Sequence, residues 1–186
     1  MKHIKLFEEF IAIDEKKGDS YDYGCVMLYF GFSQINKIHD AINPDHLYTE
    51  DEDRTYGLED EPHCTLLYGL HKEVTVDDIK EIVSQFQYDK LKLHNASLFE
   101  NQYDVLKFDV GYTEEGNNFL HACNDALCKL PHTNSYPDYH PHMTIAYIKK
   151  GLGQKYVDML KGTEFQVNPE YIVYSQPNGE KIKLEI

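Results

Sequence analysis

Pro-His-Cys-Thr-Leu-Leu-Tyr at residues 62–68 returns at 141–147 as Pro-His-Met-Thr-Ile-Ala-Tyr. A β-branched threonine, aliphatic neighbours and a tyrosine favour extended backbone, so the chain must build two like strands, one in each half. Side chains alternate faces along a strand. His63 therefore shares a face with Thr65, and His142 with Thr144. By the same rule Cys64, Leu66, Met143 and Ile145 turn to the reverse face. Strict alternation also sends Tyr68 and Tyr147 there, as packing residues.

The segments around the two copies match in kind. A continuous apolar run at 23–32 predicts a strand buried on both faces, and a short helix over 33–42 stops before Pro44. Residues 45–61 are acidic and aperiodic, the mark of a long loop feeding the first motif strand at 62–68. Thr75 stands where it can cap a helix reaching Phe86. Strands at 91–99 and 105–110, a helix over 117–129 and the second motif strand at 141–148 follow. A helix over 154–160 and strands at 164–167, 171–175 and 181–186 complete the second half, the last two joined by Pro177-Asn178-Gly179. The predicted fold is α+β: two pseudo-symmetric lobes of antiparallel sheet with flanking helices around a central cleft. Residues 21–186 suit one bilobal domain. Residues 1–20 read as an N-terminal helix or tag with a polar linker, in which Ile4, Phe7, Phe10 and Ile11 share a helical face.

Two motif strands facing across a cleft would supply two imidazoles and two hydroxyls, a set suited to phosphodiester chemistry without a metal. Attack on phosphorus needs one group to take a proton from the nucleophile and another to protonate the departing oxygen. Histidine, with an ordinary pKa near ~6.5, does either at neutral pH. Threonine hydroxyls can donate to the non-bridging oxygens where charge develops.

A formal charge of −14 excludes a broad basic surface for duplex DNA or long RNA, because such surfaces work by neutralising many phosphates. A small anionic ligand in a local pocket remains compatible with it. Four cysteines without CxxC spacing read as free thiols in a reducing compartment, hence a cytoplasmic protein. The longest apolar stretch is far below the roughly 20 residues that span a bilayer, so no membrane partner is expected.

The paired P-H-C-T-L and P-H-M-T-I motifs resemble the H-x-[ST]-aliphatic signature of the two-histidine (2H) phosphoesterase superfamily. That superfamily includes 2′–5′ RNA ligase-like proteins, cyclic phosphodiesterases and RNA-end processing enzymes. The resemblance runs from about Tyr23 to Ile186 and implies the bilobal fold, a catalytic set of His63, Thr65, His142 and Thr144, and no metal or other cofactor. The approach Y-G-L-E-D-E-P-H-C-T-L-L-Y-G-L most resembles the phage branch that degrades the cyclic oligonucleotide signals of bacterial CBASS immunity. The opening segment resembles tags of proteins packaged into phage proheads, with Ile13-Asp14-Glu15 like a prohead-protease site. The implied activity is cleavage of 3′–5′ linkages in cyclic di- or trinucleotides such as cGAMP, by attack of the ribose 2′-OH, in the host cytoplasm. An RNA-end 2′,3′-cyclic phosphodiesterase or 2′–5′ RNA ligase-like enzyme is the alternative within the same resemblance.

Two other classes compete. His132, His140 and His142 lie close in sequence and could ligate a metal in a metallohydrolase, a reading that leaves the first motif unexplained. A non-catalytic nucleotide binder or packaged virion protein would need no pair of proton shuttles. Tyr29 or Phe32, near the end of the first strand, are candidates to flank a base, and Glu170 to contact a base edge or orient a histidine. His3, His39, His46, His71, His94 and His121 have no motif context.

Overall fold

A computed structural model gives the architecture and describes residues 22–31, 33–49, 56–100, 102–111, 119–134 and 138–186. The predicted segment at 1–20 and Phe32 lie outside the described residues. In chain order the elements are β1 (Gly24–Phe30), α1 (Ile35–His39), β2 (His63–Leu70), α2 (Val76–Val83), β3 (Leu91–Glu100) and β4 (Asp104–Gly111). They continue with α3 (Phe119–Leu127), β5 (His142–Ile148), α4 (Gln154–Leu160), β6 (Phe165–Val167), β7 (Pro169–Ser175) and β8 (Lys181–Glu185). The strands form two four-stranded antiparallel sheets, ordered β2-β1-β7-β8 and β5-β4-β3-β6. This is the α+β, two-lobed fold that the repeat predicts.

Each motif strand is the edge of its own sheet, and the two edges pack against each other. The repeated proline fits that place, since a residue without an N–H opens an edge strand at no cost to the ladder. Its carbonyl is still used: Pro62 accepts from the Phe30 N–H at 3.1 Å and Pro141 from the Val110 N–H at 2.9 Å. Behind the motif strands one apolar core runs through both lobes, from Val26, Leu28 and Leu66 to Phe108, Met143 and Ile145. The central strand β1 is buried along its whole length, as its unbroken apolar run predicts. Thr75 caps α2 in a reciprocal box with Asp78.

The helices are exchanged between lobes. Helix α1 follows the first strand of the first sheet but packs on β5, and α3, which follows β4, packs on β2. The chain after each helix then closes the outer edge of the same motif strand. Tyr48 N–H donates to Tyr147 C=O and Lys149 N–H to His46 C=O; across the pseudo-dyad, Thr133 N–H donates to Gly69 C=O and His71 N–H to Pro131 C=O. These contacts occupy backbone groups that an edge strand would leave open. Gly69 has φ +100° and a Cβ there would lie 2.0 Å from the Thr133 carbonyl oxygen, so only glycine serves. The acidic loop is accordingly less featureless than its aperiodic sequence suggests. It contains a 3₁₀ turn at Pro44–His46 and is bridged to β5 through Leu47 and Leu58.

One expectation is overturned. Both motif strands carry a bulge just after the threonine: Met27 faces Thr65 but Val26 faces Leu67, and Lys107 faces Thr144 but Leu106 faces Ala146. Leu66 and Ile145 are the extra residues, so Leu66 with Leu67, and Ile145 with Ala146, all enter the core. Beyond the bulge the alternation is inverted. Tyr68 then stands opposite Cys25, and Tyr147 opposite Val105, on the same face as the histidines rather than the reverse one. Both remain packing residues, Tyr147 against Tyr56 and Tyr103, and Tyr68 against Tyr23.

Candidate active site

The face of the first sheet that carries His63 is a grid set by register. His63, Tyr29 and Tyr171 form one row, Thr65, Met27 and Val173 the next, and Tyr68, Cys25 and Ser175 the third. The corresponding grid of the second sheet reads His142, Asp109 and His94, then Thr144, Lys107 and Ser97, then Tyr147, Val105 and Phe99. Each histidine thus sits beside its own threonine, as the motif predicts. The neighbours of the two pairs differ: mainly aromatic and apolar in the first lobe, charged and polar in the second.

The two imidazoles are held in the same way. His63 Nδ1 lies 2.7 Å from the Glu61 carbonyl and His142 Nδ1 2.9 Å from the His140 carbonyl, in each case the residue two before it. A carbonyl only accepts, so Nδ1 carries the proton when the ring is neutral, and Nε2 is then the basic nitrogen. His63 also stacks on Tyr29 with centroids 5.3 Å apart, and His142 meets the edge of Phe99 at 5.1 Å. Burial lowers the His63 pKa below its ordinary value; the Glu61 carbonyl and carboxylate oppose this, while the charges of His142 and Lys181 push it further down. The two histidines are therefore close enough that a proton on one disfavours a proton on the other.

Other contacts hold the two lobes in register. The Tyr139 hydroxyl, from the loop before β5, donates to the Thr65 carbonyl at 2.9 Å. Cys64 is fully buried between the motif strands beside the His142 backbone, and burial pushes its thiol up to about 12. The carbonyls of both bulged residues, turned off the regular ladder, accept from the exchanged helices: Leu66 from Asn124 Nδ2 at 2.6 Å, Ile145 from His39 Nε2 at 3.0 Å. Each lobe's helix clamps the other lobe's motif strand at the residue after its threonine.

Of the further predicted contacts, Tyr29 is in the site but 4% exposed, its ring between those of His63 and Tyr171 and its hydroxyl 3.4 Å from Glu61 Oε2. It reaches the centre through His63. Glu170 is exposed at a bulge in β7, with its carboxylate over Gly31. His132 is tied to Leu70 and to the Leu130 carbonyl, and no cluster of three or more His, Cys, Asp or Glu that could hold a metal occurs among the described residues. Four polar residues escape sequence reading: Lys107, Asp109, Lys181 and Glu61. Lys107 Nζ is 2.9 Å from Asp109 Oδ1, and Lys181 Nζ is 3.3 Å from Glu61 Oε2. Burial alone would raise the Asp109 pKa, yet the Lys107 and Asn95 hydrogen bonds and nearby positive charge hold it below the usual carboxylate range. Lys107 and Asp109 share a face through the two-residue period of the strand, but only the register places them beside the second motif.

All four cysteines are free thiols, and no helix among the described residues is long and apolar enough to cross a membrane. No curated protein matches the sequence. Among solved structures the chain is similar to Usb1 of Kluyveromyces marxianus, with a TM-score of 0.55 at 10% identity over 89% of this chain and 99% of that one. The same protein with uridine monophosphate gives 0.54 at 11% identity over 89% and 98%. LigT of E. coli complexed with 3′-AMP gives 0.47 at 12% identity over 88% and 95%. At such identities the Usb1 likeness speaks for the fold. The family model of the 2′-5′ RNA ligase superfamily matches residues 34–161, well over half the chain and inclusive of both His-x-Thr strands. With the duplicated motif, the two sheets and this match in agreement, the chain belongs to the 2′-5′ RNA ligase superfamily, the two-histidine phosphoesterases.

Proposed function

We propose that the protein is a metal-independent phosphodiesterase acting on a small ribose-containing oligonucleotide, with 3′–5′ cyclic di- or trinucleotides as its substrates and residues 21–186 as the working unit. The observation that carries the reading is the matched tethering of His63 and His142, each with Nδ1 on a carbonyl so that Nε2 is the basic nitrogen of the ring, on two motif strands packed edge to edge. His63, whose pKa is depressed by burial and by the charges of His142 and Lys181, is the one suited to begin the cycle neutral, as general base. Its Nε2 takes the proton of a ribose 2′-OH as that oxygen bonds to the adjacent phosphorus. The bond from phosphorus to the 5′-oxygen breaks, and His142 Nε2–H protonates the departing oxygen. Thr65 and Thr144 donate to the non-bridging oxygens. Because the nucleophile belongs to the substrate, proximity contributes roughly 7–11 kcal/mol to the barrier reduction, in place of a metal-bound hydroxide.

Support for a cyclic substrate comes from the segment leading into the first motif, which resembles the enzymes that remove CBASS signals; on that reading the protein is a phage counter-defence factor working in the host cytoplasm. Family membership and the uridine monophosphate bound to Usb1 favour a second reading, processing of an RNA end with a 2′,3′-cyclic phosphate. One experiment separates them: incubation with cyclic di- and trinucleotides and with 2′,3′-cyclic phosphates in EDTA, with products identified by mass spectrometry. The first reading requires a linear product ending in a 2′,3′-cyclic phosphate, unlabelled in oxygen-18 water, and no cutting of a 2′-deoxy analogue. Turnover of the cyclic phosphates alone selects the second. Recovery of all nucleotides intact would leave a binding protein, and activity restored only by zinc or manganese would return the metal reading.

A further inference from the structure

We infer that Lys107 is a third phosphate-binding group of this site, holding a non-bridging oxygen of the scissile phosphate on the His142 side; the inference rests on the phosphodiesterase reading above.

Lys107 lies on β4, directly across from Thr144 on one side and from Ser97 on the other. Directly opposed residues in an antiparallel pair have Cβ atoms about 4.5–5.5 Å apart, so its ammonium works within reach of the Thr144 hydroxyl. The residue is 9% exposed, in a chain with 32 acidic and 18 basic side chains where most lysines face solvent. Its Nζ is 2.9 Å from Asp109 Oδ1 and 4.8 Å from the centroid of Phe99, the ring that also meets His142 edge-on. Asp109, held ionised, is anchored from the other side by Asn95 Nδ2 at 2.6 Å. The ammonium is thus fixed by a carboxylate and an aromatic face beside the second His-x-Thr pair, with three donors to share among its partners.

The pseudo-dyad provides an internal control. In the first sheet the position facing Thr65 is Met27, buried to 4% and packed with Tyr29 and Val173. The same grid position is therefore filled by an apolar side chain without harm to the sheet. Burying an ion pair there adds nothing to stability over an apolar residue of similar size, because desolvation offsets the attraction. The charge at 107 calls for an explanation in the ligand, and a phosphodiester supplies one. Developing charge on a non-bridging oxygen is stabilised by a cation already held in place. The asymmetry also orients the substrate, placing phosphate oxygens over the second sheet and leaving half-buried Tyr171 of the first for apolar surface.

The test compares Lys107→Met and Lys107→Arg with Lys129→Met, an exposed lysine at the end of α3, as charge control. Lys107→Met should fold and lose about 10²–10³-fold in kcat, the usual effect of removing one oxyanion donor; Lys107→Arg should recover part of the loss and Lys129→Met should not differ from wild type. Substrates with sulfur at either non-bridging oxygen give the contact directly. One diastereomer should be cut more slowly by wild type, and that difference should collapse in Lys107→Met. Wild-type kcat and an unchanged sulfur effect in folded Lys107→Met would overturn the assignment. Should that variant fail to fold, ¹⁵N-lysine NMR of wild type titrated with inorganic phosphate decides: the Lys107 Nζ signal must move, and a fixed signal overturns the assignment. The titration needs no turnover, so an enzyme that cuts none of the nucleotides refutes the phosphodiesterase reading while Lys107 is judged separately.

Discussion

Replacing Asn124 tests whether the exchanged helices hold the motif strands. Its Nδ2 donates to the Leu66 carbonyl at 2.6 Å while its Oδ1 accepts from the Cys128 thiol at 3.8 Å, which fixes the orientation of the amide. Asn124→Ala removes the donor from a carbonyl inside the core. Leaving such a group without its partner costs about 1–3 kcal/mol, which for a chain of this length corresponds to a fall in Tm of roughly 2–12 °C. Asn124→Asp preserves size but sets a carboxylate oxygen against a carbonyl oxygen, so at pH 7 it should be less stable than Asn124→Ala. The order reverses in acid. A buried aspartate facing an acceptor has its pKa raised, so its stabilising hydrogen bond is present below about pH 4 and lost as pH rises through the folded-state pKa. Thermal unfolding followed by circular dichroism from pH 4 to 8 should show the gap between Asn124→Asp and wild type narrowing toward the acid end. Because Leu66 follows Thr65, kcat should fall in both variants with KM less affected. Equal stability of the Ala and Asp variants at every pH, or a wild-type kcat in both, would refute the clamp.

His63→Ala and His142→Ala should each abolish most turnover, and the double variant should be little worse than either, because both protons move in one reaction; Thr65→Ala and Thr144→Ala should lose less. Near wild-type turnover in either folded histidine variant would exclude the two-histidine mechanism. The acid limb of the pH–rate profile should lie below the ordinary histidine value of about 6.5, since His63 is depressed. Lys181→Met, removing a charge that contributes to that depression, should move the limb upward, and an unmoved limb would show that His63 is not the base. Burial also lowers the His39 pKa, so below about pH 6.5 the unfolded state takes up its proton first and stability declines as pH falls. His39→Gln, which retains a donor for the Ile145 carbonyl, should flatten that decline in urea titrations at pH 5 and 7 while preserving most of the stability at pH 7.

Local sequence determines most of the elements and the chemical theme. The strand-prone motif residues, the apolar run of β1, the Thr75 cap and the duplicated halves follow from side-chain shape and hydrogen bonding within a few residues. The juxtaposition of His with Thr likewise needs only the two-residue period of a strand. Where Tyr68 and Tyr147 point was not legible, because a bulge is a relation between two strands: it arises from what Val26, Met27, Leu106 and Lys107 oppose. The roles of Asn124 and His39 depend on helices exchanged between lobes, contacts 58 and 106 residues distant in sequence. Lys107 looks in the sequence like one more lysine on a strand. Only the pairing of β4 with β5 sets it opposite Thr144, and only the tertiary packing buries it there, where low polarity makes its charge count.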